Sequence, residues 1–368
     1  MSGIIVVGAG LLGASLAHQL ATRGAPVTLV DSGPPGGGTS GSSFAWVNAQ
    51  EKAPAAYFEL NRDGVAAYAD LAAALGGDWF HAGGDLAVGR GPGAAKLQDK
   101  IERHLALGYP VRSLDRAGVL ALEPALDLGD DDGPFVAAHF PDEGWLDARA
   151  LVDRLVEAAT TAGAALMSDD IASIAVHEGR ATGVRTATGA VHVADHVVIA
   201  AGPASEALAA TAHVRLPMAP SPGLLVRTEP TATRIGRVIH AGDVALRPDG
   251  DDRLLVSSRE ADAALEPSTR DLAPDDPAVA DVLARAARLV PGLRGVAADE
   301  VRIGIRSVPV DGVPAVGPAP AVDGLYVVVS HSGATLAPIL GRLVADELLG
   351  EPVARLDPYR LDRFVLIG

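Results

Sequence analysis

Apolar and small residues alternate along the first 31 positions in a way that predicts three elements. "IIVVGAGLLGASLAHQLATRG" opens as a short apolar run, breaks at glycines, and continues with apolar positions at helical spacing. "APVTLVD" is a second apolar run, ending on Asp31. Strand, glycine turn, helix and second strand make a βαβ unit. The next stretch, "SGPPGGGTSGSS", is too rich in Gly and Ser for regular structure, whereas "PAAYFELNRDGVAAYADLAAAL" predicts a helix with its polar residues on one side.

From Trp79 to Asp142 the pattern shortens to "FHAGGDLAVG", a helical "AAKLQDKIERHLALG" and the acidic loop "DLGDDDG". At 145 longer periods resume. "LDARALVDRLVEAATTAG" predicts a helix with Leu151, Leu155 and Ala158 on one face. "ASIAVHEGRATGVRTATGAVHVADHVVIAAG" reads as antiparallel strands with glycine turns, closing in a buried strand. "GLLVRTE" and "RLLVSSRE" predict strands, and "PAVADVLARAARLV" a helix. Near the end, "VVVSHSGATLAPILG" breaks from strand to turn at Ser330 and begins a helix around Thr335. Leu336, Ile339, Leu340, Leu343 and Val344 form the buried stripe of that helix, with Pro338 in its first turn. No solenoid repeat interrupts this order. One domain's pieces are expected at 1–78, 143–215 and 302–368, and a second domain's at 79–142 and 216–301.

With 368 residues, 48% of them hydrophobic, the chain suffices for two domains and a large core. No apolar run is long enough to span a bilayer, and no basic segment precedes "IIVV", so a cytoplasmic protein is expected. The absence of cysteine excludes disulfides, thiolate catalysis, Cys-ligated metals and cofactors attached through a Cys thioether. No metal site is expected. A net charge of −16 argues against nucleic acid or an anionic membrane as partner. Lysine occurs only at 52, 96 and 100. Eleven of the fourteen aromatic residues lie between Phe44 and Trp145, so large flat ligand-facing surfaces must come from that part of the chain.

Gly8, Gly10 and Gly13 form G-x-G-x-x-G between strand and helix, and Asp31 follows 18 positions after the last glycine. The first glycine permits the tight turn, the second lets a pyrophosphate approach backbone, and the third allows helix and strand to pack closely. The helix start favours the pyrophosphate's charge. Leu11 and Leu12 belong to the same turn; Asp31 suits a ribose diol and disfavours a 2′-phosphate, with Ser32 beside it. The alternative is a glycine turn in an ordinary βα loop. The motif alone does not separate FAD from NAD, but the continuation does. An NAD dehydrogenase runs on into further βαβ units, whereas this chain departs and returns much later, as suits a long cofactor whose far ring is met by distant segments.

Four blocks, taken in order, resemble the FAD-dependent D-amino acid oxidase, glycine oxidase and monomeric sarcosine oxidase (DAO) family. They are "VVGAGLLGASLAHQLATRG…VTLVD", "TSGSSFAWVNA", "GWLDARALVDRLVEAATTAGA…HVVIAAGPAS" and "IRSVPVDGVPAVGPAP…YVVVSHSGATLAP". The resemblance covers nearly the whole chain. It implies an α/β protein: a glutathione-reductase-like, Rossmann-type FAD-binding domain with an interleaved α+β substrate domain on a mixed sheet. It implies FAD held non-covalently, with Ser40, Ser42 and Ser43 along the pyrophosphate and flavin edge and the backbone of Ile171 at the adenine. Ala201 and Gly202 would pass beneath the cofactor. Gly333, Ala334, Thr335 and Leu336 would form a helix start aimed at the pyrimidine end of the flavin, where reduction leaves negative charge.

The resemblance also implies chemistry. Arg306 falls where the family binds the substrate carboxylate, with Arg302 as the alternative; a planar guanidinium grips both oxygens and orients the Cα–H. His331 lies on the flavin-side turn, where it either contacts the ring, with a pKa that matters near neutrality, or hydrogen-bonds the turn. Trp46, Asn48 and Tyr57 either line the pocket or, for the two aromatics, belong to the core. The expected reaction is C–N oxidation of an amino acid or secondary amine by hydride transfer to flavin N5, giving an imine that hydrolyses. Electrons then pass to O2 or another acceptor, and this chemistry requires no general base. Three departures stand out. Residues 216–300 lack the family's substrate-domain tyrosines, with "DVALRPDG" in the comparable place. Ser330 replaces a glycine in the turn. The lysine that assists oxygen in sarcosine oxidase has no counterpart. The alternatives are a FAD enzyme of specialised metabolism acting on another substrate, or a non-catalytic or electron-transfer FAD subunit.

Overall fold

A computed structural model of the chain describes residues 3–129 and 133–364; the middle of the acidic loop "DLGDDDG", residues 130–132, lies outside them. A six-stranded sheet gathers the start, middle and end of the chain in the order Ala315–Pro318, Leu325–Val329, His196–Ile199, Ile4–Val7, Val27–Asp31 and Ala165–Ser168. All neighbours are parallel except the first pair. Strand periodicity sorts its side chains. Ile4 and Val6 join a core roofed by the helices Leu11–Thr22, Ala148–Thr161 and Gly333–Leu348. Ile5 and Val7 join a second core on the opposite face, with Ile174 and Val184 from an antiparallel three-stranded sheet. Each such fully buried Val or Ile adds about 1.5–3 kcal/mol.

The helices follow their patterns. Asp147 caps Ala148–Thr161 by accepting from Ala150 N–H at 3.0 Å. Its buried stripe is Leu151, Val152, Leu155, Val156 and Ala159, while Ala158 is only half-buried. The C-terminal helix starts at Gly333, two residues earlier than its apolar periodicity predicts, because Gly333 and Ala334 contribute turn geometry but no large side chain. Pro338 therefore lies in the second turn, where its missing N–H leaves the carbonyl of Ala334 without its helical donor. The Tyr68 hydroxyl donates to that oxygen instead.

An eight-stranded mixed sheet occupies residues 85–140 and 221–306, in the order Ala298–Arg306, Ser221–Thr228, Leu254–Ser258, Val244–Pro248, Val238–Ala241, Asp85–Arg90, Phe135–Phe140 and Arg112–Leu114. Its strand Ala298–Arg306 runs across position 301. One face is apolar: Leu86, Leu224, Val226, Leu246 and Val256 pack with Val279, Val282 and Ala286 of the helix Pro277–Leu289. On the other face His240 is in register with Ala87 and Ala245, and Ala245 with Ser257. Ser221 pairs with Arg306, and Gly223 with Gly304. Small and charged residues on that face leave room for a cavity.

Candidate active site

The glycine turn is built from backbone. Gly8 has φ 108°, and a Cβ there would fall 2.4 Å from Ala200 O. A Cβ at Gly13 would lie 1.8 Å from Gly8 O, so the helix rests directly on the turn. Leu11 N–H donates to Ser40 Oγ at 3.0 Å, which brings the Gly/Ser loop over the helix start. Asp31 accepts from Ala9 N–H at 2.7 Å and from Gly33 N–H at 2.9 Å, tying the end of the second strand to the turn.

From this turn a cavity of ≈ 1610 Å³ extends between the two large sheets. Gly8, Gly10, Leu11, Asp31, Ser32 and Ile171 line it near the turn, and Leu12 lines it beside Gly333. Ser40, Ser42, Ser43, Ala201 and Gly202 line the middle. Trp46, Asn48, Arg306, His331, Gly333, Ala334 and Thr335 line the remainder. Three expected residues do not reach it. Gly13 packs between helix and strand. Leu336 is wholly buried, part of the apolar stripe with Ile339 and Leu340. Tyr57 is buried and shares a hydrogen bond of 2.7 Å with Ser332 Oγ. Its part is to hold the turn.

That turn is pinned from several sides. Ser332 N–H donates to Ser330 Oγ at 3.1 Å, so Ser330 supplies a hydroxyl acceptor inside the turn. Asn48 N–H donates to Thr335 Oγ1 at 3.1 Å, and Thr335 Oγ1 donates to Asn48 O at 3.3 Å. His331 is left to face the open cavity. The surrounding protein, then the nearby charges of Lys52 and Arg306, push its imidazole down to about 4. It is therefore neutral around pH 7, and the expectation of a titration near neutrality is corrected.

Arg306 and Arg302 separate cleanly. Both guanidinium nitrogens of Arg302 that face Glu300 are bonded to it at 2.7 Å, and the residue does not line the cavity. Arg306 does line it. Its Nη1 donates to Pro222 O at 3.0 Å and its Nη2 to the Asp262 carboxylate. A Cβ at Gly223 would fall 2.5 Å from Nη2, so that glycine is the cradle on which the guanidinium lies.

Sequence patterns missed several cavity groups. Lys52 lines the cavity with no hydrogen bond or ion pair among the described residues; burial lowers its pKa, while Glu143 and Glu51 act in the opposite sense. All three lysines of this acidic chain line the same cavity, a scarcity that could have singled them out. His240 lines it too, bonded through Nδ1 to the fully buried Asp85 at 2.7 Å. Behind Asp85 lies Glu143, also fully buried, which accepts from Tyr109, Gln50 and Trp46 at 2.7, 2.7 and 3.0 Å. Burial, then the neighbouring Asp85 charge, push Glu143 up to about 8.

The side-chain-free glycine turn, the Asp31 carboxylate on the cavity wall and a cavity continuing past two helix starts fit an extended dinucleotide. The protein is a dinucleotide-binding oxidoreductase of the flavoprotein type. The chain belongs to the FAD dependent oxidoreductase (DAO) family, whose pattern matches residues 3–347. It is 30% identical over 380 residues to the uncharacterized oxidoreductase YurR of Bacillus subtilis (strain 168), covering 98% of each chain. It is 28% identical over 378 residues to glycine oxidase of Geobacillus kaustophilus (strain HTA426), covering 98% of this chain and 97% of the relative. The crystal structure of glycine oxidase from Geobacillus kaustophilus superposes with a TM-score of 0.87 at 26% identity, covering 100% of this chain and 99% of that one. This is an FAD-dependent flavoprotein of a family related to amino-acid oxidases.

Proposed function

We propose that the protein oxidises the C–N bond of an amino acid or secondary amine. One observation carries this reading: the cavity that begins at the glycine turn ends at a guanidinium, a pinned helix start and an imidazole, all facing the same space. Bound FAD supplies the acceptor for a hydride from substrate Cα. The chain's own residues bind and orient. Gly8, Gly10 and the start of the first helix hold the pyrophosphate, and Asp31 the ribose. The bare N–H groups at Gly333 and Ala334 favour negative charge at their end of the cavity. Arg306, aligned by Asp262 and Gly223, binds the substrate carboxylate and so sets the angle of the Cα–H.

Glycine oxidase is named for glycine, and the relatives make small amino acids the first substrates to test. The cavity wall differs in a way that bears on this. Where tyrosines are expected on the substrate side, the sheet presents Ala245, Ser257 and Leu225, and the aromatic surface comes from Trp46 and Phe44, which pack on His240 of that sheet. We assign the eight-stranded sheet and its helices, residues 85–140 and 221–306, to the substrate side of the molecule, moving the expected boundary at 301 to the end of the strand that crosses it, and the remaining segments to the cofactor side. The electron acceptor is O2 or another oxidant.

The test is anaerobic mixing of the yellow holoprotein with glycine, D-amino acids, L-proline and N-methyl amino acids. Loss of flavin absorbance with at least one is expected, and hydrogen peroxide on admitting air if O2 is the acceptor. A flavin that stays oxidised with the whole panel removes the reading.

A further inference from the structure

Resting on the amine-oxidation reading, we propose that His240 is the base that takes the proton from the substrate's ammonium group, with Asp85 as its positioning residue. Asp85 Oδ1 lies 2.7 Å from His240 Nδ1, and Asp85 is fully buried. A carboxylate at Nδ1 fixes the proton on that nitrogen and leaves Nε2 as an acceptor. The imidazole keeps 29% of its side-chain surface, on the cavity wall, and Nε2 has no hydrogen-bond partner among the described residues. Trp46 packs on the ring at 4.2 Å between centroids, and Phe44 meets it edge-on at 6.2 Å.

The pair sits beside the reacting end. Trp46 touches His240, and Asn48, two residues on, is bonded to Thr335 in the first turn of the C-terminal helix. Two residues of extended chain span about 7 Å. The support behind Asp85 is closed: Gln50 Nε2 donates to Asp85 Oδ2 at 2.9 Å and to Glu143 Oε2 at 2.7 Å. The other charged groups around His240 are engaged elsewhere. Arg247, on the neighbouring strand, donates to Phe44 O at 2.8 Å and pairs with Asp249. Asp243, beyond the strand's end, is held by Ser258 and Arg285. Lys52, further along the Trp46 loop, and Lys96, on the helix Pro92–Ala106, line the cavity without an ion pair among the described residues, whereas Lys100 pairs with Glu51.

An amino acid or secondary amine is an ammonium ion at neutral pH, and only its neutral form has the lone pair that becomes the C=N bond. In the proposed step the N–H bond of the ammonium breaks and an Nε2–H bond forms. No electrons change hands, and the new imidazolium rests against the Asp85 carboxylate. The family reading called for no base, because a neutral amine needs none; His240 supplies the neutral amine.

The test is anaerobic stopped-flow reduction of FAD-loaded wild type, His240→Asn, His240→Gln and Asp85→Asn from pH 5.5 to 10, using an amine that bleaches the wild type. His240→Asn is expected to lower the second-order reduction rate near pH 7 by on the order of 100-fold. It should recover as pH approaches the substrate's own amine pKa, where neutral amine is abundant. Asp85→Asn should move the profile the same way by less. An unchanged profile, or a loss of equal size at every pH, overturns the proposal alone. Loss of FAD from both His240 variants overturns it as well, since the residue would then be structural. No bleaching of wild type by any amine removes the functional reading and this proposal with it.

Discussion

At one end of the cavity, around Gly8 and Gly10, the chain presents backbone. At the other, around Trp46, His240, His331 and Arg306, it presents side chains drawn from strands and loops far apart in sequence. The difference teaches where specificity can change. A backbone cradle accepts one ligand shape and tolerates almost no substitution, because its atoms have nowhere to go. A wall of side chains, here His240, Ala245 and Ser257, can change its residues while the sheet beneath keeps its register.

The sharpest way to break the backbone end is Gly13→Ala. The added Cβ would meet Gly8 O at 1.8 Å, a backbone atom that cannot swing aside. The helix must lift off the turn, at a cost at or above the roughly 1–3 kcal/mol typical of overpacking. A colourless protein with a lowered thermal midpoint is expected. Gly10→Ala is the control: its Cβ would meet only Ser40 Oγ, at 3.0 Å, a side chain that can rotate. It should weaken FAD retention while leaving the fold intact. Equal losses in the two variants would contradict the distinction.

The side-chain end should respond in catalysis before stability. Arg306→Ala removes a guanidinium that is only partly exposed, and losing one side of such a pair costs about 2–5 kcal/mol, roughly 30-fold to several thousand-fold in kcat/KM. Asp262→Asn leaves Arg306 on its Gly223 cradle but loosens it, so a smaller rise in KM is expected. Steady-state kinetics on a carboxylated substrate decide the matter. A loss of the same size for an amine without a carboxylate would deny Arg306 its role.

Lys52→Met probes the same end more gently. Burial, and after it the charges of Lys52 and Arg306, hold His331 in its neutral form, so removing the lysine charge should raise the His331 pKa only part of the way from about 4 toward its ordinary 6.5. Histidine NMR titration would show the shift. A rise in KM of about tenfold, near 1.4 kcal/mol, is expected if Lys52 also attracts the substrate's anionic group.

The two ends were unequally legible in the sequence, for a physical reason. Gly8, Gly10, Gly13 and Asp31 lie on one continuous βαβ unit, so their spacing is the geometry. Leu336 was legible as well, through its period with Ile339 and Leu340, and that period places it in the core rather than on the cofactor. Weighing Arg306 against Arg302 required knowing which of them lines the cavity: each is paired with a carboxylate, Arg302 with Glu300 and Arg306 with Asp262, but only Arg306, lying over Gly223, is on the cavity wall. The His240, Asp85, Gln50 and Glu143 network comes from four separate segments, and no local pattern announces a contact across |i−j| of 155.

Glu143 gives the smallest effect and the finest test of that network. Its folded pKa is raised to about 8 by burial and then by Asp85, whereas an unfolded glutamate titrates near 4.3. Between those values the folded protein holds a proton that the unfolded chain has lost. The contribution to stability is thus fully present below about pH 4.3 and is lost as pH rises through 8. Glu143→Gln fixes the site in its uncharged form. Its one amide oxygen can still accept from Trp46 and Gln50, while its NH2 donates to the Tyr109 hydroxyl oxygen in place of the bond Tyr109 donated. The thermal midpoint of the FAD-loaded variant should therefore fall less between pH 5 and 8 than that of the wild type. Parallel midpoint curves for the two proteins would mean that Glu143 stays ionised throughout, with Tyr109, Gln50 and Trp46 hydrogen-bonding a carboxylate rather than a neutral acid.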